Sequence, residues 1–219
     1  MKKAALLTFL IVLVGSATSC TAPKLNRKKL ADNYVSETRA DAGFKEIKAG
    51  NAVLLIISVQ EEFGVTVEGA ESLLKDVKTE VEGETLVIST KGNISPANKI
   101  RLKISMPELT GLELWGASEA VVTKVKSNSL KIQTGATSIV KIDGETKSLR
   151  AHANGSSMID AEKLKAENVE AKTAGTSEIT VFATNELTTQ TLGASIIFYT
   201  GEPQNIRPDS AGTGETRKK

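Results

Sequence analysis

Apolar and polar residues alternate in short runs along most of the chain from Phe44 onward. The segments "FGVTVEG" (63–69), "ETLVIST" (84–90) and "KIRLKISM" (99–106) each carry an apolar residue at every second position. Strict alternation over a short run is typical of a β-strand with one buried face. The pattern therefore predicts an all-β fold, in which most strands cover a core with one face and meet solvent with the other.

One segment, "AESLLKDVKTEVEG" (70–83), departs from this rule. Leu73, Leu74, Val77 and Val81 recur at helical spacing, which predicts the only helix of the chain. Thr79 and the two valines leave an extended conformation open, because β-branched residues favour strands. Both interpretations agree that the segment has one apolar side.

From Gly116 on, the alternation is divided into repeats of 18–20 residues, each marked by a glycine followed by small residues. A repeat of this length is too short for a pair of helices, which takes roughly 33 residues or more. It fits one coil of a β-solenoid, because every strand then pairs with the coils above and below it at about 4.8 Å. Residues 44–214 are therefore predicted to form a parallel β-helix of about six coils, preceded by N-terminal strands. The predicted corner glycines are Gly116, Gly135, Gly155, Gly175, Gly193 and Gly212.

Glycine suits these corners because a sharp turn often needs a positive φ, which other residues adopt at a cost. The residues that follow each glycine, such as Ser156-Ser157 and Thr176-Ser177, must fit against their copies in the next coil, so small side chains are expected there. Their hydroxyl groups can also bond backbone groups of the corner. The repeated pattern is therefore structural first.

The alternation also separates a core from an outer face. Leu149, Ala151 and Ala153 are predicted to point inward, with Arg150 and His152 outward. Small inward residues indicate a narrow core, which agrees with an aromatic content of only 4%. Five outward residues share one phase of the repeat and form the candidate contact face: Trp115, Gln133, His152, Lys172 and Gln190. For Trp115 the favoured alternative is a structural role, in which its ring packs beneath the N-terminal strands as a cap.

The serial "GAS"-type units, the preceding "MPELTGLELWGAS" and the closing "SIIFYTGEP" together resemble the GIN-domain family, also called the putative auto-transporter adhesin head domain. This family occurs in envelope proteins of Bacteroidetes. The resemblance implies a right-handed parallel β-helix on a lipoprotein or secreted chain. It implies no catalytic residues, since its motif is repetitive, and "adhesin" is a family-level label.

The N-terminus has the features of a secretory signal over residues 1–19: Lys2 and Lys3, an apolar run from Ala4 to Val14, and small residues after it. Cys20, the only cysteine, stands where a lipoprotein signal peptidase would leave it as the first mature residue. Ala17 replaces the leucine of the strict lipobox, a relaxation familiar in Bacteroidetes-type bacteria. We expect a lipid on Cys20, a linker over 20–43 and a polar tail over 215–219. An ordinary secreted protein with a free thiol is the alternative.

Charge and composition exclude several functions. The chain has 28 basic and 26 acidic residues, and removing Lys2 and Lys3 with the signal leaves 26 of each. This balance is unlike that of a nucleic-acid binder. His152 is the only histidine, and no phosphate loop, dinucleotide fingerprint or calcium repeat occurs, so no metal or other cofactor is expected. Asp143 and Asp160 lie at similar phases, but Asp143-Gly144 is typical of a turn.

The sequence thus predicts a non-catalytic envelope protein, held at the membrane by Cys20, that presents its solenoid surface to a protein or glycan. A carbohydrate-active β-helix enzyme and a purely structural envelope component are the alternatives. The segment "TAPKLNRKK" after Cys20 has no acidic residue, which favours the periplasmic face of the outer membrane over the cell surface. A homodimer through pairing of exposed coil edges is also expected.

Overall fold

The structure is a computed structural model that describes residues 33–92 and 100–219. Strands dominate it, and the one helix in the described residues is a single turn, α1 (Glu71–Leu74). The strands are β1 (Tyr34–Arg39), β2 (Glu46–Ala49), β3 (Val53–Val59), β4 (Gly64–Ala70), β5 (Val77–Glu82), β6 (Thr85–Thr90), β7 (Ile100–Met106), β8 (Gly111–Leu114), β9 (Glu119–Thr134), β10 (Ile139–Gly155), β11 (Met158–Gly175), β12 (Glu178–Gly193), β13 (Ile196–Thr200), β14 (Asn205–Gly212) and β15 (Glu215–Lys218).

The predicted β-solenoid is confirmed. The long strands β9 to β12 lie on one another in parallel and follow the coil around its bends, and the stack winds through about five turns. In each coil a first side leads to the corner that carries the glycine, a second side follows this corner, and a third side closes the coil. In the coil around Gly155 these sides are residues 149–154, 158–161 and 164–167. The last coil has a first side, β14, and a second side, β15.

The N-terminal strands extend the same stack instead of forming a separate unit. Strand β2 lies between β8 and β6 and pairs in parallel with both. Strand β3 lies in the same way between β9 and β7. Strands β4 and β5 then pair antiparallel with β7 and β6, and β1 pairs antiparallel with β4. Two layers of the parallel stack therefore precede the visible repeats, and antiparallel strands complete it at this end.

From Asn51 to Gly212, a left-handed residue lies at the same corner of each successive coil. Gly116, Gly155, Gly175, Gly193 and Gly212 have φ between 76° and 99°, and Asn51 has φ of 69° at the equivalent corner between β2 and β3. Each corner is bonded to the one below: the amide of Ala117 donates to the Asn51 carbonyl at 2.6 Å and that of Thr176 to the Gly155 carbonyl at 2.8 Å. The in-register corners were predicted, with one exception.

The prediction of Gly135 as a corner residue is wrong by one position. The left-handed residue of that coil is Ala136, with φ of 58°, and Gly155 lies directly above it. The pairing of Leu114 with Thr134 brings residue 136 to the level of Gly116 and residue 135 to the level of Trp115. Gly135 has a different role, described below.

Buried serines stabilise the corners from within, as expected for hydroxyls at these positions. Ser138, Ser157, Ser177 and Ser195 are nearly inaccessible, and each donates to the carbonyl three residues earlier, at 2.8–3.2 Å. Some bonds also join neighbouring coils, for example from Ser177 Oγ to the Ala153 carbonyl at 2.9 Å. A small polar side chain can therefore be buried here, because each hydroxyl has a partner.

The composition of the core changes along the stack. Its N-terminal part contains large side chains such as Phe44, Leu55 and Met106, whereas the later coils also bury small ones such as Ala151 and Ala171. Larger residues, among them Leu149, Leu164 and Leu187, are buried in these later coils as well. The inward and outward assignments of Leu149–Ala153 are confirmed.

Three predicted boundaries differ from the structure. The helical segment ends after one turn at Leu74, and β5 follows, so the extended alternative holds from Val77 on. Residues 34–39, assigned to the linker, form β1, and residues 215–218, assigned to a polar tail, form β15 and pair with β13. In both segments, backbone hydrogen bonds to the neighbouring strand stabilise the extended conformation, although the side chains are mostly polar. The signal peptide and Cys20 lie outside the described residues.

Glycine at a stacked corner is expected to contribute measurably to stability. A Cβ at position 175 would lie 2.6 Å from the carbonyl oxygen of Gly155, and the left-handed backbone costs other residues about 1–2 kcal/mol. Gly175→Ala should therefore lower the free energy of unfolding by about 2 kcal/mol or more, measured by chemical denaturation. Ala136→Gly is the control, because it relieves the same backbone strain and should leave stability unchanged or slightly higher. Equal losses in the two variants would contradict this assignment of the corners.

Candidate contact face

The first sides of the coils form a flat sheet whose outward residues stand in two columns. We call these columns together the polar face. One column consists of Glu46, Gly111, Lys131, Arg150, Glu170, Thr188 and Arg207, and the other of Lys48, Glu113, Gln133, His152, Lys172, Gln190 and Asp209. Four residues of the predicted contact face, Gln133, His152, Lys172 and Gln190, are thus brought together in the second column.

Trp115 is not in that column, and this part of the prediction needs correction. Glu113 pairs with Gln133 and therefore occupies the second column. Trp115 follows two residues later, one outward position beyond that column, and lies beside the polar face. Its side chain is 44% exposed. It covers Gly135 so closely that a Cβ there would lie 2.2 Å from two carbons of the ring. Gly135 therefore leaves the space that the indole ring occupies.

Hydrogen bonds hold the tryptophan to the polar face. The indole Nε1 of Trp115 donates to Oε1 of Glu113 at 2.5 Å, and Nζ of Lys48 lies 3.0 Å from the same oxygen. Burial acts to raise the pKa of Glu113, but the bonds from Trp115 and Lys48 outweigh it and hold the pKa below its usual value of 4.5. The carboxylate therefore stays ionised near neutral pH and fixes the orientation of the ring.

A small hollow lies next to this group at the N-terminal end of the polar face. Its volume is about 300 Å³, and Glu46, Lys48, Glu113 and Lys131 are among the residues that line it. The hollow forms at Gly111, which has no side chain and so leaves a gap in the first column. A Cβ at this position would lie 3.0 Å from the carboxyl carbon of Glu46. The hollow thus presents both acidic and basic side chains beside the exposed ring of Trp115.

Further along the polar face, the charges mostly contact one another. Glu170 accepts a hydrogen bond from Nζ of Lys172 at 2.6 Å and lies 3.4 Å from Nε of Arg150. The bond from Lys172 is the main reason that the pKa of Glu170 is lowered. Gln190 donates to Asp209 at 3.1 Å. These contacts order the surface but leave few charges there for a ligand.

His152 lies in the middle of the second column and is half-buried. Burial lowers its pKa below 6.5, and the neighbouring ammonium group of Lys172 lowers it further, so the ring is neutral at pH 7. Its Nε2 is buried and has no hydrogen-bond partner within the described residues. A search of those residues finds no group of three His, Cys, Asp or Glu side chains that could hold a metal ion. The sequence did not predict this arrangement beyond the outward direction of the side chain.

Comparison with known proteins adds a family and several similar structures. The model of the family described as "putative auto-transporter adhesin, head GIN domain" matches residues 43–203. A structure of a "putative adhesin" from Bacteroides fragilis has a TM-score of 0.71 and 20% identity, over 86% of this chain and 98% of its own. A "putative adhesin" from Parabacteroides merdae has a TM-score of 0.55 and 16% identity, over 86% and 97% of the two chains.

A third structure, described as a "putative lipid binding protein" from Parabacteroides distasonis, has a TM-score of 0.51 and 20% identity, over 86% of this chain and 98% of its own. Comparison with curated protein sequences finds no significant match. At these identities the similar structures support the fold alone.

Proposed function

The chain belongs to the family of the putative auto-transporter adhesin head GIN domain, and from this premise we propose that it is a non-enzymatic adhesin of the cell envelope that binds glycans beside its polar face. The family and two of the three similar structures are described as putative adhesins, the third as a putative lipid binding protein, and none of them as an enzyme. Their description supports adhesion in general. The choice of ligand and surface rests on the side chains of this chain.

The observation that carries the proposal is the exposed indole of Trp115, which covers Gly135 and donates a hydrogen bond to Glu113. A pyranose ring has an apolar face of C–H groups that can stack on such an indole, and hydroxyl groups around its edge. Lys48, Gln133 and His152 supply polar groups nearby on the same side of the solenoid. A fixed aromatic ring with adjacent donors and acceptors is a common arrangement in ligand sites.

Binding of the full-length chain to a panel of immobilised polysaccharides tests this function. Trp115→Ala should weaken binding about tenfold or more, which corresponds to roughly 1.4 kcal/mol, because stacking and burial of the ring are lost. Gly135→Ala should also weaken it, because the new methyl group displaces the indole. Gly50→Ala is the matched control, since a Cβ there meets nothing within 4 Å.

Three outcomes would contradict the proposal. Unchanged binding of Trp115→Ala and Gly135→Ala would remove this surface from consideration. Release of new reducing ends from any polysaccharide would favour a carbohydrate-active enzyme. Absence of both binding and turnover across the panel would favour a structural envelope component.

We also propose that the chain is anchored through a lipid on Cys20 and faces the periplasm from the outer membrane. The apolar run before Cys20 and the absence of acidic residues in "TAPKLNRKK" support this. Burial of an acyl chain contributes about 0.8 kcal/mol per CH₂, so two or three chains give a stable anchor. In the part of the chain that the structure describes, no helix has the length and apolarity needed to cross a membrane.

Cell fractionation and protease treatment of intact cells test the anchor and the membrane face separately. The unchanged chain should be recovered in the outer-membrane fraction and be protected from the added protease. Metabolic labelling with a radioactive fatty acid should label the unchanged chain, and Cys20→Ala should abolish the label. Equal labelling of Cys20→Ala would contradict lipid attachment at this residue, and digestion of the unchanged chain in intact cells would contradict the periplasmic face. Pairing of a second copy along an exposed coil edge stays a prediction.

A further inference from the structure

The third sides of the coils form a second surface, separate from the polar face. They contain a groove of about 640 Å³. One outward column along it consists of Lys126, Glu145, Lys165 and Phe182, which lie in register in successive coils. Two positions further along their strands, Lys147 and Glu167 also line the groove. The family and the similar structures assign no role to this surface.

A change in the length of one coil places the aromatic residue in the groove. Between β11 and β12 the pairing moves from Ala161–Val181 directly to Lys165–Phe182, so β12 lacks a counterpart of residues 162–164. Phe182 therefore occupies a column that carries charged residues in the three preceding coils. Its ring is half-buried and forms an apolar end to a groove that is otherwise lined by polar groups.

The charges of the groove are unpaired, in contrast to those of the polar face. Lys126, Glu145, Lys147, Lys165 and Glu167 are all exposed, and among the described residues none of them takes part in an ion pair or a side-chain hydrogen bond. On the polar face, by comparison, Glu170 contacts both Lys172 and Arg150. The groove thus keeps charges of both signs available to a ligand.

The floor of the groove needs no ligand to complete its own hydrogen bonds. Ser127 Oγ donates to Thr146 Oγ1 at 3.1 Å, Thr146 Oγ1 donates to the Ser148 carbonyl at 3.2 Å, and Thr184 Oγ1 donates to the Ala166 carbonyl at 3.4 Å. Recognition therefore falls to the other side chains at the surface of the groove, which are the charged residues, Asn128 and the half-buried Phe182. This favours a ligand with charged groups at defined spacing over one that presents only hydroxyl groups.

The order of the charges selects the kind of ligand. Glu145 and Lys147 are two residues apart in one coil, and Lys165 and Glu167 are two residues apart in the next with the signs reversed. A purely acidic polymer would be repelled by the three glutamates that line the groove, Glu108 among them, and a purely basic one by the three lysines. Alternate residues of an extended peptide are about 6.7 Å apart, as they are along the strands of the groove.

We propose that this groove binds an extended segment of a partner protein, in which an acidic and a basic residue stand two positions apart and an apolar residue contacts Phe182. The partner segment aligns with the strands, so that its charges meet Glu145 and Lys147 or Lys165 and Glu167. Charge-assisted hydrogen bonds of this kind are stronger than neutral ones. The inference is independent of the glycan surface around Trp115.

Selection from a random peptide library displayed on phage, with the full-length chain as the target, tests the proposal. The expected result is enrichment of peptides that carry opposite charges two positions apart. Each enriched peptide is then measured by fluorescence polarisation against Glu145→Gln/Lys147→Gln/Lys165→Gln/Glu167→Gln, which keeps the net charge unchanged. Affinity should fall at least about tenfold, since each charge-assisted bond contributes roughly that factor.

The matched control is Glu62→Gln/Lys75→Gln, which neutralises one acidic and one basic exposed residue far along the chain from the groove. It should retain full affinity, as should Trp115→Ala. Circular dichroism and thermal unfolding establish that the groove variant is folded, because substitutions of exposed residues change stability little. Phe182→Ala, tested alone, should reduce affinity without changing the preference for mixed charges.

Several results would overturn the proposal. These are enrichment of peptides of a single charge sign, enrichment of uncharged peptides, no enrichment above an unrelated target, or full affinity of the folded groove variant. Loss of peptide binding with glycan binding intact, or the reverse, would separate this surface from the one proposed above.

Discussion

The corner of each coil is the constraint on which the rest of this structure depends. At this point the chain must adopt a left-handed backbone while its carbonyl oxygen accepts a hydrogen bond from the corner above. A Cβ on the upper residue would reach into the corner below, which explains glycine at Gly155, Gly175, Gly193 and Gly212. Asn51 and Ala136 are tolerated at equivalent positions. Asn is among the residues that adopt this region more readily, whereas Ala136 carries the strain.

Once the corners are aligned, local departures from the repeat determine what the outer surface can do. Gly135 leaves room for the ring of Trp115, in a coil of ordinary length between the corners at Gly116 and Ala136. The shortened corner of β12 moves Phe182 into a column of charged residues and gives the groove on the third side its apolar end. One candidate surface thus depends on a single glycine and the other on a change in coil length, while the regular coils support both.

Much of the fold could be predicted from the sequence because its determinants are local and repeated. Alternation identified the buried residues Leu149, Ala151 and Ala153, and the spacing of the glycines identified the coil. The segment "AGN" (49–51) predicts a turn between strands, but its place among the stacked corners was missed, because Asn51 is not glycine and a long insertion separates it from Gly116. Its position after the alternating residues Ile47 and Ala49 was the available signal. Strand β15 was missed because its polar residues gain their order only from pairing with β13.

The surfaces were harder to predict than the core. Four members of the second column were identified, but Trp115 was placed among them, because alternation gives the outward direction of a residue and not its register; pairing puts Glu113 there. The groove around Glu145 and Lys165 was not predicted at all, because it depends on the alignment of β11 with β12 across a change in coil length. Pairing across such a change is a property of the folded backbone and cannot be read from one repeat alone.

Formation of a disulfide between adjacent corners tests the central claim most directly. In a chain with Cys20→Ser, the double substitution Ser156→Cys/Thr176→Cys replaces two hydroxyls that lie 2.9 Å apart, and strands in adjacent coils are about 4.8 Å apart, within the range that a disulfide spans. We expect rapid oxidation to an intramolecular disulfide, detected by mass spectrometry under native conditions. Ser156→Cys/Ala194→Cys, two coils apart, should remain reduced. Efficient crosslinking of the second pair, or failure of the first in a folded chain, would contradict corners stacked in register along one axis.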